Sequence, residues 1–336
     1  MSHQIGIVGP GYIGLQHAAA VAANPRAELA ALCGTERSRS RVEAAARQWG
    51  ARLATTRYQD LLDDPKIDII YICTPNSQHA DQAVAALEAG KHVFVEKPMA
   101  TTLEDCRRMV EAVDRSGKKL LVGQICRFSP IFMAIKQMVD QGDLGELFFV
   151  EGDYIHNLKS FLELPGHDWW MDPDHPHFPL PGGGCHPLDL MRWMAGEVEE
   201  VTCYSTRKVL QDVPWDDTYI VTLKFVQGAV GKLFICLGAQ APYALNLSVY
   251  GTKGTVRNDE LFLSRIPHLE GFMKMPIPIQ EEHPNCPQEL EHFLEVIDQG
   301  VPPRIDVRDG ARTTAACLAM IEAVQTGRPA KVVRDF

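Results

Sequence analysis

From residue 4 to about residue 123 the chain alternates short apolar runs with amphipathic stretches of helical length. The runs at 5–8, 28–33, 67–73, 92–95 and 119–122 are rich in Ile, Val, Leu and Phe and read as strands buried on both faces. Between them the pattern predicts helices, among them 12–23, stopped by Asn24-Pro25, and 103–115, opened by Thr101-Thr102-Leu103-Glu104 and followed by Gly117. Repeated strand-helix-strand units of this kind predict a doubly wound parallel sheet of the α/β class.

After a helix near 128–141 the period changes to two. Strands are expected at 147–155, 201–209, 218–225, 231–237 and 245–250, with short turns at 226–228 and 251–254. This predicts an α+β domain built on an antiparallel meander, with helices near 187–194, 288–299 and 307–325 covering one face of a large open sheet. The expected domains are 1–124 and 125–336. A sheet covered on one side exposes the other, so a homodimer or homotetramer joined through that face is expected.

Composition narrows the partners. The 336 residues carry 33 Lys and Arg against 43 Asp and Glu, a formal net charge of −10 that repels a phosphate backbone. No nucleic-acid partner is expected. No apolar run approaches the roughly 18 residues of a membrane span, and Met-Ser-His-Gln-Ile leads directly into a strand, so the expected location is cytoplasmic. Nine dispersed cysteines without a CxxC pair predict reduced thiols, not a disulfide framework or a Cys-rich zinc site.

The segment Gly9-Pro10-Gly11-Tyr12-Ile13-Gly14 is a GxGxxG turn between the first strand and the first helix. In that context the first glycine makes the turn, the second admits a pyrophosphate and the third lets helix and strand pack, with the helix N-terminus facing the anion. A nicotinamide dinucleotide is the expected cofactor. The acid that would hold its ribose, about 20 residues on, is replaced by Gly34. Thr35 and Arg37, with Arg39 behind them, lean the choice slightly toward NADP, while Glu36 could serve a ribose instead.

Three further stretches complete a family pattern: Thr74-Pro75-Asn76 with His79, then Glu96-Lys97-Pro98, then Gly182-Gly183-Gly184-Cys185-His186-Pro187-Leu188-Asp189. With Arg127-Phe128-Ser129-Pro130 and Gly142-Asp143-Leu144-Gly145 they resemble the Gfo/Idh/MocA family of glucose-fructose oxidoreductases, inositol 2-dehydrogenases and relatives, over nearly the whole chain. The resemblance implies a Rossmann domain, a second domain with a large open sheet, and NAD(P)-dependent redox chemistry on sugars or cyclitols. It places the nicotinamide beside Lys97, with Thr74, Pro75, Asn76, His79 and Glu96 also expected at the cofactor, and a tight turn at Pro98, often cis in the family. The family Asp four residues before the catalytic His is Gly182 here; Asp168, Asp172 and Asp189 are the candidate replacements.

Oxidising a secondary carbinol requires a base for the hydroxyl proton, and Lys97 and His186 are the candidates. Asp189, three residues after His186, could orient its imidazole on one helical face. Arg127, Tyr154, His156, Trp169 and Asp189 are expected near the substrate, and His175, His177 and the acids around them read as a polar loop, not a metal site. Two rival readings share the resemblance: a glycosidase that oxidises transiently on a retained nicotinamide, and a nicotinamide-binding sensor without catalysis.

Overall fold

The computed structural model describes residues 2–162, 168–171, 179–278 and 285–336. Its contacts form two compact units, one of residues 1–124, 284–311 and 336, the other of 125–283 and 312–335. The leading stretch of the first unit ends at Gln124, and residues 284–311 belong to the same unit. The reason is packing: the helix Cys286–Asp298, expected to cover the open sheet, sends Leu290, Phe293, Leu294 and Val296 into the core beside the parallel sheet.

The first unit is built on six strands: β1 (His3–Val8), β2 (Ala27–Cys33), β3 (Leu53–Thr55), β4 (Ile69–Ile72), β5 (His92–Glu96) and β6 (Leu120–Gly123). All pairings are parallel, in the order β3-β2-β1-β4-β5-β6. The order reverses between β1 and β4, which opens a crevice at the carboxyl ends of these strands. The helix Tyr12–Ala23 matches the expected span, and Leu103–Ser116 is capped by Thr102, whose hydroxyl accepts the Asp105 N–H at 3.0 Å. β3 was not foreseen, because three residues with one buried side chain leave no periodic signal.

The second unit holds nine strands: β7 (Leu147–Ile155), β8 (Val198–Thr206), β9 (Thr218–Phe225), β10 (Val230–Cys236), β11 (Ala244–Gly251), β12 (Gly254–Arg257), β13 (Glu260–Leu263), β14 (Met273–Lys274) and β15 (Ala330–Lys331). Their order is β14-β13-β12-β11-β7-β10-β9-β8-β15. A pure meander is corrected here: β7 enters between β11 and β10, antiparallel to the first and parallel to the second. The strand expected at 201–209 ends at Thr206, because Asp217 accepts the N–H groups of Lys208, Val209 and Leu210 and bends that segment out of the ladder. The helix Cys185–Ala195 lies on β7 over Gly152, where a Cβ would stand 2.8 Å from Pro187 and 3.1 Å from the Met191 sulfur. Among the described residues, no helix is long and apolar enough to cross a membrane.

Candidate active site

The phosphate turn separates glycines that the fold needs from one that it does not. Gly9 has φ +92°, and a Cβ there would meet the Cys73 carbonyl oxygen at 2.4 Å. A Cβ on Gly14 would meet the Gly9 carbonyl oxygen at 2.1 Å. Gly11 has nothing within 4 Å of its would-be Cβ, so no protein neighbour requires a glycine there. That open space lies at the start of the helix Tyr12–Ala23, whose first turn carries no acidic side chain and whose leading N–H groups lack intrahelical acceptors. Tyr12 is exposed and Ile13 partly so. The turn therefore fits a dinucleotide pyrophosphate, with the backbone N–H groups of Tyr12, Ile13 and Gly14 as the available donors.

At the end of β2, Gly34 is enforced by crowding: a Cβ would meet Ser38 Oγ at 2.4 Å and Val42 Cγ2 at 2.6 Å. Beyond it, Thr35, Glu36 and Arg37 are exposed. Glu36 receives Arg39 Nε at 3.0 Å and Nη2 at 2.7 Å and also bonds the Thr56 hydroxyl.

Lys97 follows β5, is partly exposed, and precedes a cis peptide bond to Pro98. Its neighbours from the family motifs turn inward. Glu96, expected at the cofactor, is buried; one carboxylate oxygen lies 2.9 Å from His17 Nε2 and the other accepts the Lys97 N–H at 3.2 Å. Burial works against ionising Glu96, but the hydrogen bond from His17 and the charge of Lys97 outweigh it and lower its pKa. His79, also expected at the cofactor, has each ring nitrogen 2.8 Å from a carbonyl oxygen, Nδ1 from Pro98 and Nε2 from Thr74. Burial pushes its pKa down against the pull of those carbonyls. Its ring ties the Thr74-Pro75-Asn76 turn to the segment behind Lys97, and the Thr74 hydroxyl donates to Gln82 Oε1 at 2.6 Å.

In the second unit, four rings gather on one side of the sheet. Tyr154 lies 6.2 Å from His186 and 6.0 Å from His156, and Tyr243 lies 5.7 Å from Tyr154 and 5.3 Å from His156, centroid to centroid. The glycine run makes this possible: a Cβ on Gly183 would strike the Tyr154 ring at 2.3 Å, and one on Gly184 would strike Ile235 at 2.2 Å. His186 is 4% exposed and opens the helix Cys185–Ala195. Burial lowers the His156 pKa and raises that of Tyr154. Tyr243 sits in no recognisable motif, so only the fold could bring it in.

Two expected substrate residues are corrected. Arg127 and Asp189 are 3% and 1% exposed and form a two-pronged pair, with Nε to Oδ2 at 2.7 Å and Nη2 to Oδ1 at 2.8 Å. The Thr313 hydroxyl donates to the same carboxylate at 2.8 Å, and Arg192 stands 3.9 Å away. With its oxygens so engaged, Asp189 holds Arg127 in place and does not orient the His186 imidazole. Of the other acids considered in place of the family Asp, Asp172 falls outside the described residues and Asp168 is described only as backbone in the short turn Asp168–Met171. The Trp169 side chain, Asp174, His175 and His177 also lie outside them.

Comparison with known proteins identifies the family of both parts of the chain. Residues 3–124 match the model of the Gfo/Idh/MocA oxidoreductase family with its NAD-binding Rossmann fold, and residues 132–257 match the Gfo/Idh/MocA C-terminal domain. The uncharacterized oxidoreductase YrbE of Bacillus subtilis (strain 168) is 32% identical over 274 residues, covering 77% of this chain and 75% of that protein. Inositol 2-dehydrogenase of Salmonella typhimurium (strain LT2) is 29% identical over 258 residues, covering 76% and 73%. The structure of a levoglucosan dehydrogenase in complex with NADH has the same fold, with a TM-score of 0.91 at 23% identity and all of both chains covered. A nucleotide turn with an open middle glycine, the Glu96-Lys97-Pro98 strand end and two matching domain models make this chain a member of the Gfo/Idh/MocA family of NAD-binding oxidoreductases.

Proposed function

We propose that the chain is an NAD(P)-dependent dehydrogenase acting at a secondary carbinol of a sugar, sugar derivative or cyclitol. The observation that carries this reading is Gly11 in the GxGxxG turn, whose would-be Cβ meets nothing within 4 Å among the described residues, in a chain whose relatives include inositol 2-dehydrogenases. Bound nicotinamide supplies the hydride acceptor or donor. The chain supplies the rest: the first-turn N–H groups hold the pyrophosphate, and Lys97 and His186 exchange the hydroxyl proton. Tyr154 and His156 contact the polyol. Glu96 and His79 are positioning residues behind Lys97, and Arg127 with Asp189 stiffens the start of the helix that presents His186.

A modest preference for NADP rests on Gly34, which leaves no room for a ribose-binding acid, and on the cations Arg37 and Arg39 beside it. Tighter binding of NAD+ than NADP+, abolished in Glu36→Ala, would reverse that preference. The nine cysteines, none of them in a disulfide among the described residues, fit a reducing, cytoplasmic compartment. The outer face of β8, β9 and β10 supports assembly as a homodimer or homotetramer, through the row Tyr204, Ile220 and Phe234 aligned across the strands.

The deciding experiment incubates the protein with cyclitols, aldoses, uronates and glycosides and either oxidised cofactor, following reduced cofactor. Stoichiometric reduction with one substrate class is expected. Glycoside cleavage without net reduced cofactor would replace the dehydrogenase reading with the glycosidase one, and cofactor binding without any turnover would leave a sensor.

A further inference from the structure

Behind the phosphate turn, the first unit encloses a second group of chemically capable side chains. His17, Cys286 and Glu289 are buried, and each offers a ligand atom within 4.8 Å of the other two. His17 comes from the helix Tyr12–Ala23, Cys286 and Glu289 from the first turn of the helix Cys286–Asp298. His17 is 1% exposed and Glu289 0%. Yet, among the described residues, His17 Nδ1 and both carboxylate oxygens of Glu289 have no hydrogen-bond partner, and neither does the hydroxyl of the wholly buried Tyr71. Buried polar atoms are nearly always satisfied, so several in one place point to something that satisfies them together.

The other side of the imidazole specifies what that is. Glu96 Oε1 lies 2.9 Å from His17 Nε2, and a carboxylate there holds the proton on Nε2. Nδ1 is thereby left as a lone pair directed away from Glu96. A histidine whose far nitrogen donates to a carboxylate while its near nitrogen is bare has the arrangement of a metal ligand with its outer support. We propose that His17 Nδ1, Cys286 Sγ and a Glu289 carboxylate oxygen form a structural zinc site inside the nucleotide-binding unit.

One nitrogen, one thiolate and one carboxylate are a borderline-soft donor set suited to Zn²⁺. Bonds of about 2.0 to 2.3 Å put tetrahedral ligands roughly 3.3 to 3.8 Å apart, so ligand atoms within 4.8 Å of one another would have to close by about 1 Å on loading. The charges also balance. A thiolate, a carboxylate and a neutral imidazole cancel one divalent cation, and loading displaces the thiol proton of Cys286 and the carboxyl proton of Glu289 to solvent. Such an ion would pin the helix that carries the phosphate turn to the helix Cys286–Asp298, which reaches this unit from a distant part of the sequence. Through Glu96 it would also steady the strand end before Lys97.

The test refolds the full chain with Zn²⁺ or with Co²⁺ and then passes it over a chelating resin, since so buried a site fills during folding. One retained ion per chain is expected, a thiolate-to-cobalt charge-transfer band in the cobalt form, and a higher melting temperature than in chelator-treated protein. Cys286→Ser and His17→Gln should each lose the ion. Retention of the ion in either folded variant would overturn the proposal. Should both variants fail to fold, the wild-type chain decides: absence of the charge-transfer band, or an infrared carboxylic-acid band for Glu289 that persists after zinc treatment, overturns it as well. None of these readouts depends on the substrate or on turnover.

Discussion

The two sheets put chemistry in different places. The parallel sheet is buried on both faces, with β4 and most of β1 and β5 closed to solvent, so functional groups can appear only at strand ends: the phosphate turn after β1 and Lys97 after β5. The nine-stranded sheet alternates, with Tyr219, Val221, Leu223 and Phe225 buried along β9 and Ile220, Thr222 and Lys224 exposed between them. It works through its faces: Tyr154 of β7 meets His186 on one, and the other lies open. The phosphate turn offers backbone N–H groups, whereas Lys97 and the sheet face offer side chains. Substitutions should therefore fail differently in the two places.

The largest effect expected is on the chemical step. Single-turnover hydride transfer in Lys97→Met and in His186→Ala should fall on the order of 10² to 10⁴, the usual loss for a positioned acid or base. A deficit in Lys97→Met alone would confine proton transfer to the strand end and reduce the sheet face to substrate positioning. Near-normal rates in both would break the comparison and move the relay to other residues.

Next is the buried pair that fixes the helix over the second sheet. Removing one partner of a fully buried, hydrogen-bonded ion pair strands the other charge, so Asp189→Ala should destabilise the fold by about 3 to 5 kcal/mol in denaturant unfolding. Were Asp189 a substrate ligand, the variant would keep its stability and lose substrate affinity instead. Here sequence reasoning went furthest astray. The spacing of His186 and Asp189 on one helical face is real, but the spacing cannot reveal that Arg127 and Thr313, far away in sequence, already occupy the carboxylate.

The same limit runs through the rest of the molecule. Local signals were legible: the GxGxxG turn, the Thr102 cap and the strands β7 and β9 fall where periodicity and punctuation put them. What depended on long-range pairing was not. The insertion of β7 beside β10, the return of the helix Cys286–Asp298 to the first unit, and the inward turn of Glu96 and His79 each join segments with no shared local pattern. Motif reading identified Glu96 and His79 as important but assigned both to the cofactor, because a motif records which residues occur together without recording which way they face.

A third and smaller effect tests the edge of the second sheet. Burial alone would raise the Asp217 pKa, but the N–H groups of Leu210 and Val209, the Thr218 hydroxyl and the Lys208 N–H outweigh it and hold the value low. A lowered native pKa stabilises the fold above the unfolded value of about 4, and this contribution drains away as pH falls through the native value. Asp217→Asn should cost about 1 to 3 kcal/mol at neutral pH by leaving a cradle of donors poorly matched. Its deficit relative to wild type should shrink as the pH drops below about 4. A deficit independent of pH would assign the loss to packing and not to the charge.

The smallest effect on folding belongs to the open face. Tyr204 is 75% exposed and Ile220 38%, and they lie opposite each other in register, with Phe234 on the far side of Ile220. In a single chain, replacing Ile220 with Lys removes little buried surface, so stability at high dilution should change by no more than about 0.5 kcal/mol. If the face joins copies of the chain, the same substitution puts a charge into a desolvated contact and should dissociate the assembly toward the 37.4 kDa mass of one chain in sedimentation. A core position of the parallel sheet has no such double behaviour: shortening Phe94, stacked on Tyr71 at 4.4 Å, costs stability at every concentration. Concentration dependence therefore separates a face that waits for a partner from a face that already has one. A wild-type chain that sediments as a monomer at micromolar concentration, or an Ile220→Lys variant that stays assembled, would show that this side of the sheet faces only water.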